Sequence, residues 1–252
     1  MQIKTGRLED MYKKINLSII IPMYNEASRI PNTLSSLLKY LNSEENLYID
    51  DHEIILVDDG SVDNTVFTLE SMISNVSTNA NIKIIKQDKN YGKGKAVKTG
   101  VLSSSMDYIL YMDADNAVHI SNIQLLINHI NDFDIIIGSR KLKQDKNIRY
   151  FISSLGHVLN KTLIKHVYDT QCPFKLIKSD IAKKVFKKMT IDRYAFDLEL
   201  LFLIQENNYS IKEVIVDYNV MSGSRFNIVR DVYKTFLDFI KIHINIFSDK
   251  YR

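Results

Sequence analysis

Residues 17–26 read Leu-Ser-Ile-Ile-Ile-Pro-Met-Tyr-Asn-Glu, and residues 53–61 read Glu-Ile-Ile-Leu-Val-Asp-Asp-Gly-Ser. Each is a continuous apolar run that breaks abruptly into polar, turn-forming residues. A run that does not alternate with polar positions predicts a strand covered on both faces, the usual situation in a parallel sheet. Five such runs occupy the first 140 residues: Leu17–Ile21, Glu53–Val57, Ile82–Lys86, Tyr108–Met112 and Asp134–Ile137. Between them, Leu34–Leu41, Thr65–Val76, Ala96–Leu102 and Ile120–Ile130 repeat apolar residues at three- and four-residue spacing, the signature of helices. This βαβα order predicts an α/β fold, a mainly parallel central sheet with helices on both faces.

Ligands of such sheets bind at the carboxyl ends of the strands. The segments that follow the runs are Pro22-Met23-Tyr24-Asn25-Glu26, Asp58-Asp59-Gly60-Ser61, Asp113-Ala114-Asp115 and Gly138-Ser139-Arg140. Taken singly, each also reads as a turn or a helix cap. All four fall on one edge of one predicted sheet, which marks that edge as the candidate site.

Beyond residue 140 the pattern changes. Lys141–Arg149 is basic and polar, Phe151–Tyr168 reads as an amphipathic helix, and Asp169–Lys175 as a loop. Lys178–Lys188 and Phe196–Gln205 read as helices, Ile211–Tyr218 as a strand, and Phe226–Phe247 as a helix apolar around much of its circumference. No Gly/Pro/Ser-rich linker interrupts the chain. The expected organisation is one domain over residues 1–225 and a C-terminal amphipathic helical extension over 226–252.

Composition narrows the function. The 252 residues are 45% hydrophobic and 25% charged, which is ordinary for a globular protein. The net charge of +3 argues against general nucleic-acid coating. A single cysteine, Cys172, rules out an internal disulfide and fits a reducing compartment. Residues 1–16 lack the apolar core of a signal peptide, and no stretch of 18 residues is free of charge, so a membrane-spanning helix is not expected. The six histidines show no zinc spacing, and no G-x-S-x-G elbow is present.

Asp113 and Asp115 stand two residues apart at a predicted strand terminus, where two carboxylates can grip one hard divalent cation such as Mg²⁺ or Mn²⁺ and share it with substrate phosphates. The alternative is a capping Asp beside a solvated one. The turn Asn90-Tyr91-Gly92-Lys93-Gly94-Lys95-Ala96 also follows a strand and opens a helix. It lacks the third glycine of a dinucleotide fingerprint, and the chain holds no Walker motif. Two readings remain, a plain glycine turn or an anion site with Lys93 and Lys95 beside a helix N-terminus.

Four segments, Ser18–Glu26, Val57–Thr65, Asn90–Gly100 and Asp113–Asp115, together resemble the family 2 inverting glycosyltransferases of the GT-A (Rossmann-like) fold, over roughly residues 17–225. Gly138-Ser139-Arg140, Asp169–Lys175, Arg193–Leu200 and Ser222–Arg225 further resemble the polyprenyl-phosphate sugar synthases, most of all the dolichyl-phosphate β-glucosyltransferase branch, which uses UDP-glucose. Ala117 agrees with that branch, since mannosyl-phosphate synthases often carry a polar residue there.

The resemblance implies roles. Pro22, Tyr24 and Glu26 would line the uridine pocket with Asp58 on the base, and Lys93 and Ala114 would contact the nucleotide sugar. Asp113 and Asp115 would hold Mg²⁺ or Mn²⁺ against the diphosphate. Arg140, Arg149 and Ser153 would hold the phosphate of a polyprenyl acceptor, and Arg225 would neutralise charge near the leaving diphosphate. Asp197 and Glu199 would face the sugar. An acceptor phosphate is anionic already and needs no general base; Asp197 is therefore expected to orient the sugar.

Two departures stand out: Pro173 replaces a common Gly, and the membrane segments of the glucosyl branch have no counterpart here. The Phe226–Phe247 helix, bearing Phe226, Phe236, Phe239 and Phe247, would instead lie on the cytoplasmic membrane surface, pack on the core, or join two copies. Competing readings are a relative that uses GDP-mannose, UDP-N-acetylhexosamine or a saccharide acceptor in cell-surface glycan synthesis, and an inactive nucleotide-sugar-binding protein.

Overall fold

The computed structural model describes residues 14–75, 81–140, 164, 166–219 and 228–251. Among them, seven strands form one sheet: β1 (Ile15–Met23), β2 (Ile49–Asp58), β3 (Asn81–Lys86), β4 (Tyr108–Met112), β5 (Ile135–Arg140), β6 (Phe174–Lys178) and β7 (Ile211–Val216). Their order is β3-β2-β1-β4-β6-β5-β7. All neighbours pair in parallel except β6, which runs antiparallel to both β4 and β5.

The absence of alternation in the strand sequences is explained by two cores. Ile19, Ile21, Ile54, Leu56, Leu110 and Met112 point to one face, where α1 (Ile30–Leu41), α2 (Thr65–Asn75) and α4 (Ile123–Ile127) cover them. Ile20, Ile55, Val57, Ile109 and Tyr111 point to the other. There they meet α3 (Lys93–Ser103), α5 (Ser179–Lys188), α6 (Phe196–Glu206) and α7 (Ile228–Phe247). Successive residues of each strand serve opposite cores.

Sequence expectation and structure differ in three places. Ile120–Ile130 splits into a 3₁₀ turn at Ile120–Asn122 and a five-residue helix. Residues 166–168 are irregular, with His166 at φ 60°, so the helix expected over Phe151–Tyr168 does not reach Tyr168; the rest of that segment lies outside the described residues, except Ile164, which is also non-helical. Asp169–Lys175 is not wholly loop, because Phe174 and Lys175 open β6.

The last helix, α7, begins at Ile228, so the expected boundary at residue 225 falls outside the described residues. Ile242 and Asn245 are buried, while Phe236, Leu237, Ile240, Ile244 and Phe247 are exposed. Among the described residues no helix is long and apolar enough to cross a membrane.

Candidate active site

The carboxyl ends of β1, β2 and β4 lie side by side, and hydrogen bonds knit their loops together. Asn25, in a left-handed conformation at φ 57°, donates its backbone N–H to Ser61 Oγ (2.7 Å) and accepts the Val62 N–H on Oδ1 (2.8 Å). Glu26 donates its N–H to Thr65 Oγ1 (2.8 Å) and holds Arg29 through two 2.6 Å bonds. Pro22 is buried and Tyr24 is exposed at the mouth of this pair of loops.

Asp58 and Asp59 are both buried but behave differently. Asp58 accepts the Ser61 N–H on Oδ2 (3.1 Å), while its buried Oδ1 has no partner. A buried acceptor left open is costly unless something donates to it. Asp59 is satisfied twice over, by the N–H groups of Tyr91 and Gly92 at 2.8 Å each. Burial nevertheless pushes its carboxyl above the usual carboxylate range against those two bonds. Asp59 thereby clamps the end of β2 to the glycine turn that starts α3.

That turn is held by close contacts on both sides. Gly92 sits at φ 121°, which favours glycine, and a Cβ on Gly94 would lie 2.6 Å from Phe196 Cβ. Gly94 thus lets the start of α3 rest on the start of α6. One consequence is that Lys93 reaches across to Asp113, Nζ to Oδ1 2.5 Å. Burial alone would lower the Lys93 ammonium's pKa, but the charges of Asp113 and Asp197 reverse this and raise it.

Asp113 and Asp115 follow β4, and Asp115 Oδ1 accepts the Ala117 N–H (3.0 Å). Burial, and then the neighbouring Asp113 charge, raise the Asp115 carboxyl above its ordinary value; the Ala117 N–H, and then Arg29 and Lys93, only partly offset this. The buried Ala114 between them is tied to α1 by Thr33 Oγ1, which donates to its carbonyl (2.7 Å). Two close carboxylates, one strained by the other's charge, suit a hard dication. Among the described residues no cluster of three or more Asp, Glu, His or Cys could hold a metal. Asp113 and Asp115 would leave most coordination positions to a diphosphate or water.

Beneath this layer lies a buried network that the sequence did not reveal. Asp197, in the first turn of α6, accepts Tyr111 OH (2.5 Å) and Lys175 Nζ (2.6 Å) on the same Oδ1. Lys175 is fully buried, donates also to the Cys172 carbonyl (2.7 Å), and lies 5.3 Å from the Tyr111 ring centroid. Burial, then Asp197, push the Tyr111 hydroxyl well above its usual pKa, and burial pushes the Cys172 thiol to about 12. The thiol is inert at neutral pH.

Other expected site residues are less clearly assembled. Arg140, at the end of β5, binds Asp169 through Nε (2.7 Å) and Nη2 (2.8 Å), lies 5.4 Å from the Tyr218 ring, and donates its backbone N–H to Asp169 as well. Glu199 turns away from the site. It accepts the N–H groups of Thr190 and Ile191 and the hydroxyl of Tyr251 (2.6 Å). Through Tyr251 it fastens the segment that follows α7, and it does not face the sugar as the resemblance implied. Arg149, Ser153 and Arg225 lie outside the described residues.

Comparison with known proteins is consistent with this arrangement. The model of the family "Glycosyl transferase family 2" matches residues 18–186. A dolichyl-phosphate beta-glucosyltransferase of Dictyostelium discoideum is 37% identical over 84% of this chain and 69% of its own. Those of Mus musculus and Saccharomyces cerevisiae are 33% and 30% identical, over 83% and 95% of this chain and 69% and 78% of theirs. Among solved structures, glucosyl-3-phosphoglycerate synthase of Mycobacterium tuberculosis, in complex with Mn²⁺, UDP and glucosyl-3-phosphoglycerate, superposes with a TM-score of 0.67 at 15% identity, over 89% of this chain and 80% of that one. Mannosyl-3-phosphoglycerate synthase of Rubrobacter xylanophilus gives 0.69 at 15% identity, over 93% and 75%. At that identity the likeness speaks for the GT-A fold alone.

Proposed function

The chain belongs to glycosyl transferase family 2, and from that premise we propose that it moves glucose from UDP-glucose to a polyprenyl phosphate of the dolichyl type, releasing UDP and a β-linked product. The observation that carries the reading is the shared sheet edge. Asp58 at the end of β2 and the Asp113–Asp115 pair after β4 flank β1 at the carboxyl edge of these parallel strands. Asp58 can accept the imide N–H of a uracil, with Pro22, Tyr24 and Glu26 around the base. Asp113 and Asp115 would hold a divalent cation, Mg²⁺ or Mn²⁺, which would supply charge neutralisation to the departing diphosphate.

The remaining groups orient the reactants. Lys93 stands at the start of α3, where its ammonium can reach the diphosphate, and Ala114 closes the crevice beside it. Asp197, buried with Tyr111 and Lys175, acts as a positioning residue that supports the site from beneath. Attack by the acceptor phosphate on C1, in line with the departing UDP, inverts the α-linked donor. Because that phosphate is anionic, no proton need be abstracted. The roles that the family resemblance implies for Arg149, Ser153 and Arg140 are to hold this phosphate, Arg140 being itself clamped by Asp169, and the role implied for Arg225 is to neutralise the leaving diphosphate. The exposed apolar face of α7 rests on the cytoplasmic membrane face, where a lipid acceptor resides.

The test is a donor panel with polyprenyl phosphate, reading radiolabel extracted into the organic phase. UDP-glucose should label the lipid far better than GDP-mannose or UDP-N-acetylglucosamine. Comparable or greater labelling from GDP-mannose, or label only on a saccharide acceptor, overturns the assignment.

A further inference from the structure

We propose that Lys93 is a built-in placeholder cation: its ammonium occupies Asp113 until a nucleotide diphosphate draws it away, so that metal and donor load together. The proposal rests on the reading of Asp113 and Asp115 as metal ligands and adds an order of events to it.

The geometry is specific. Lys93 Nζ lies 2.5 Å from Asp113 Oδ1, on the carboxylate that a dication would need. Both side chains remain part-exposed, 23% and 31%, so the pair can open into the crevice. The backbone of Lys93, by contrast, is held from both sides. Asp59 accepts the amides of Tyr91 and Gly92 just before it, and Gly94 just after it packs against Phe196. The ammonium therefore moves on its four-carbon stem while its anchor stays fixed.

A dication arriving alone would place two positive centres on one carboxylate, and their repulsion weakens its binding. A diphosphate removes that conflict, because its oxygens accept the Lys93 ammonium while its metal takes Asp113. On departure of the nucleoside diphosphate with its metal, Lys93 returns to Asp113 and the empty site again disfavours free cations. Asp197, the other carboxylate whose charge acts on Lys93, cannot take over this role through Oδ1, which Tyr111 and Lys175 already share.

The experiment is titration of Mn²⁺ without nucleotide, followed by electron paramagnetic resonance. Lys93→Met should bind Mn²⁺ at least about tenfold more tightly than wild type. Lys95→Met, which removes the same charge from the same helix without touching the pair, should stay within about twofold. Equal or weaker binding by Lys93→Met, or an equal gain in Lys95→Met, overturns the placeholder role. If Mn²⁺ fails to bind wild type even with UDP, or binds Asp115→Ala as well as wild type, the metal assignment itself falls and the proposal with it. The wild-type protein gives a second readout that needs no foldable variant at position 93. The Nζ resonance of Lys93 should shift with Mg²⁺ and UDP together and not with Mg²⁺ alone; an equal shift with Mg²⁺ alone overturns the proposal.

Discussion

Lys175 Nζ lies 2.6 Å from Asp197 Oδ1, and both side chains are sealed from solvent, at 0% and 5% exposure. The lysine comes from the antiparallel strand β6 and the aspartate from the first turn of α6. An ionised carboxylate and an ammonium are buried together here only because each satisfies the other, with Tyr111 and the Cys172 carbonyl completing the set.

Replacing one partner should therefore be costly. Lys175→Met leaves the Asp197 charge buried without its counter-ion, and unfolding in urea should show a loss of about 3–5 kcal/mol. The double variant with Asp197→Asn should regain part of that loss while remaining inactive. A single variant within about 1 kcal/mol of wild type would mean that Asp197 does not depend on Lys175.

Asp115→Ala should abolish glucose transfer without unfolding the protein. Folding raises the Asp115 carboxyl, so its ionised form opposes the native state, and the alanine variant should be at least as stable as wild type at pH 7. That advantage should disappear below about pH 4, where the carboxyl is protonated in both states. Transfer that survives both the substitution and EDTA would remove Asp115 from the metal site.

Asp169 has the opposite sign. Despite burial, Arg140 holds its carboxyl below the usual range, so the stabilisation exists above the unfolded pKa and is lost as acid protonates the folded carboxylate. Asp169→Asn should cost roughly 2 kcal/mol at neutral pH, less than a fully sealed pair because Arg140 is part-exposed. Denaturant midpoints of variant and wild type should converge as the pH falls below about 4. A pH-independent gap would assign the loss to packing.

Tyr251→Phe removes the hydroxyl that donates to Glu199 at 2.6 Å. Stability should fall by about 1–2 kcal/mol, and amide protection should drop in α7 before it drops in the sheet. Uniform loss of protection would place this contact in the global unfolding unit instead.

The parallel strands are legible in the sequence because residues such as Ile19, Ile20 and Ile21 serve two cores, which leaves no polar position in the run. β6 is not legible, because Lys175 interrupts Phe174-Lys175-Leu176-Ile177 with a charge that patterning assigns to solvent. Only its distant partner on α6 makes that burial possible. The misplacement of Glu199 has a local origin. Residues two apart on a helix point about 200° from each other, so Asp197 and Glu199 cannot both face one sugar. Asp59 is legible as part of the polar break after β2, yet its clamp on Tyr91 and Gly92 depends on loops joined only by the folded sheet.

The position of β6 also constrains how the molecule is made. Strands β1 to β4 are complete once Met112 has been synthesised, but the outer edge of β4 can pair only with Phe174–Lys178, far downstream. Until that segment emerges from the ribosome, the apolar Tyr-Ile-Leu-Tyr-Met strand presents an open backbone edge to its surroundings. The nascent chain therefore carries this open edge from the emergence of β4 until the emergence of Phe174–Lys178, the interval in which a chaperone that binds exposed strands should act.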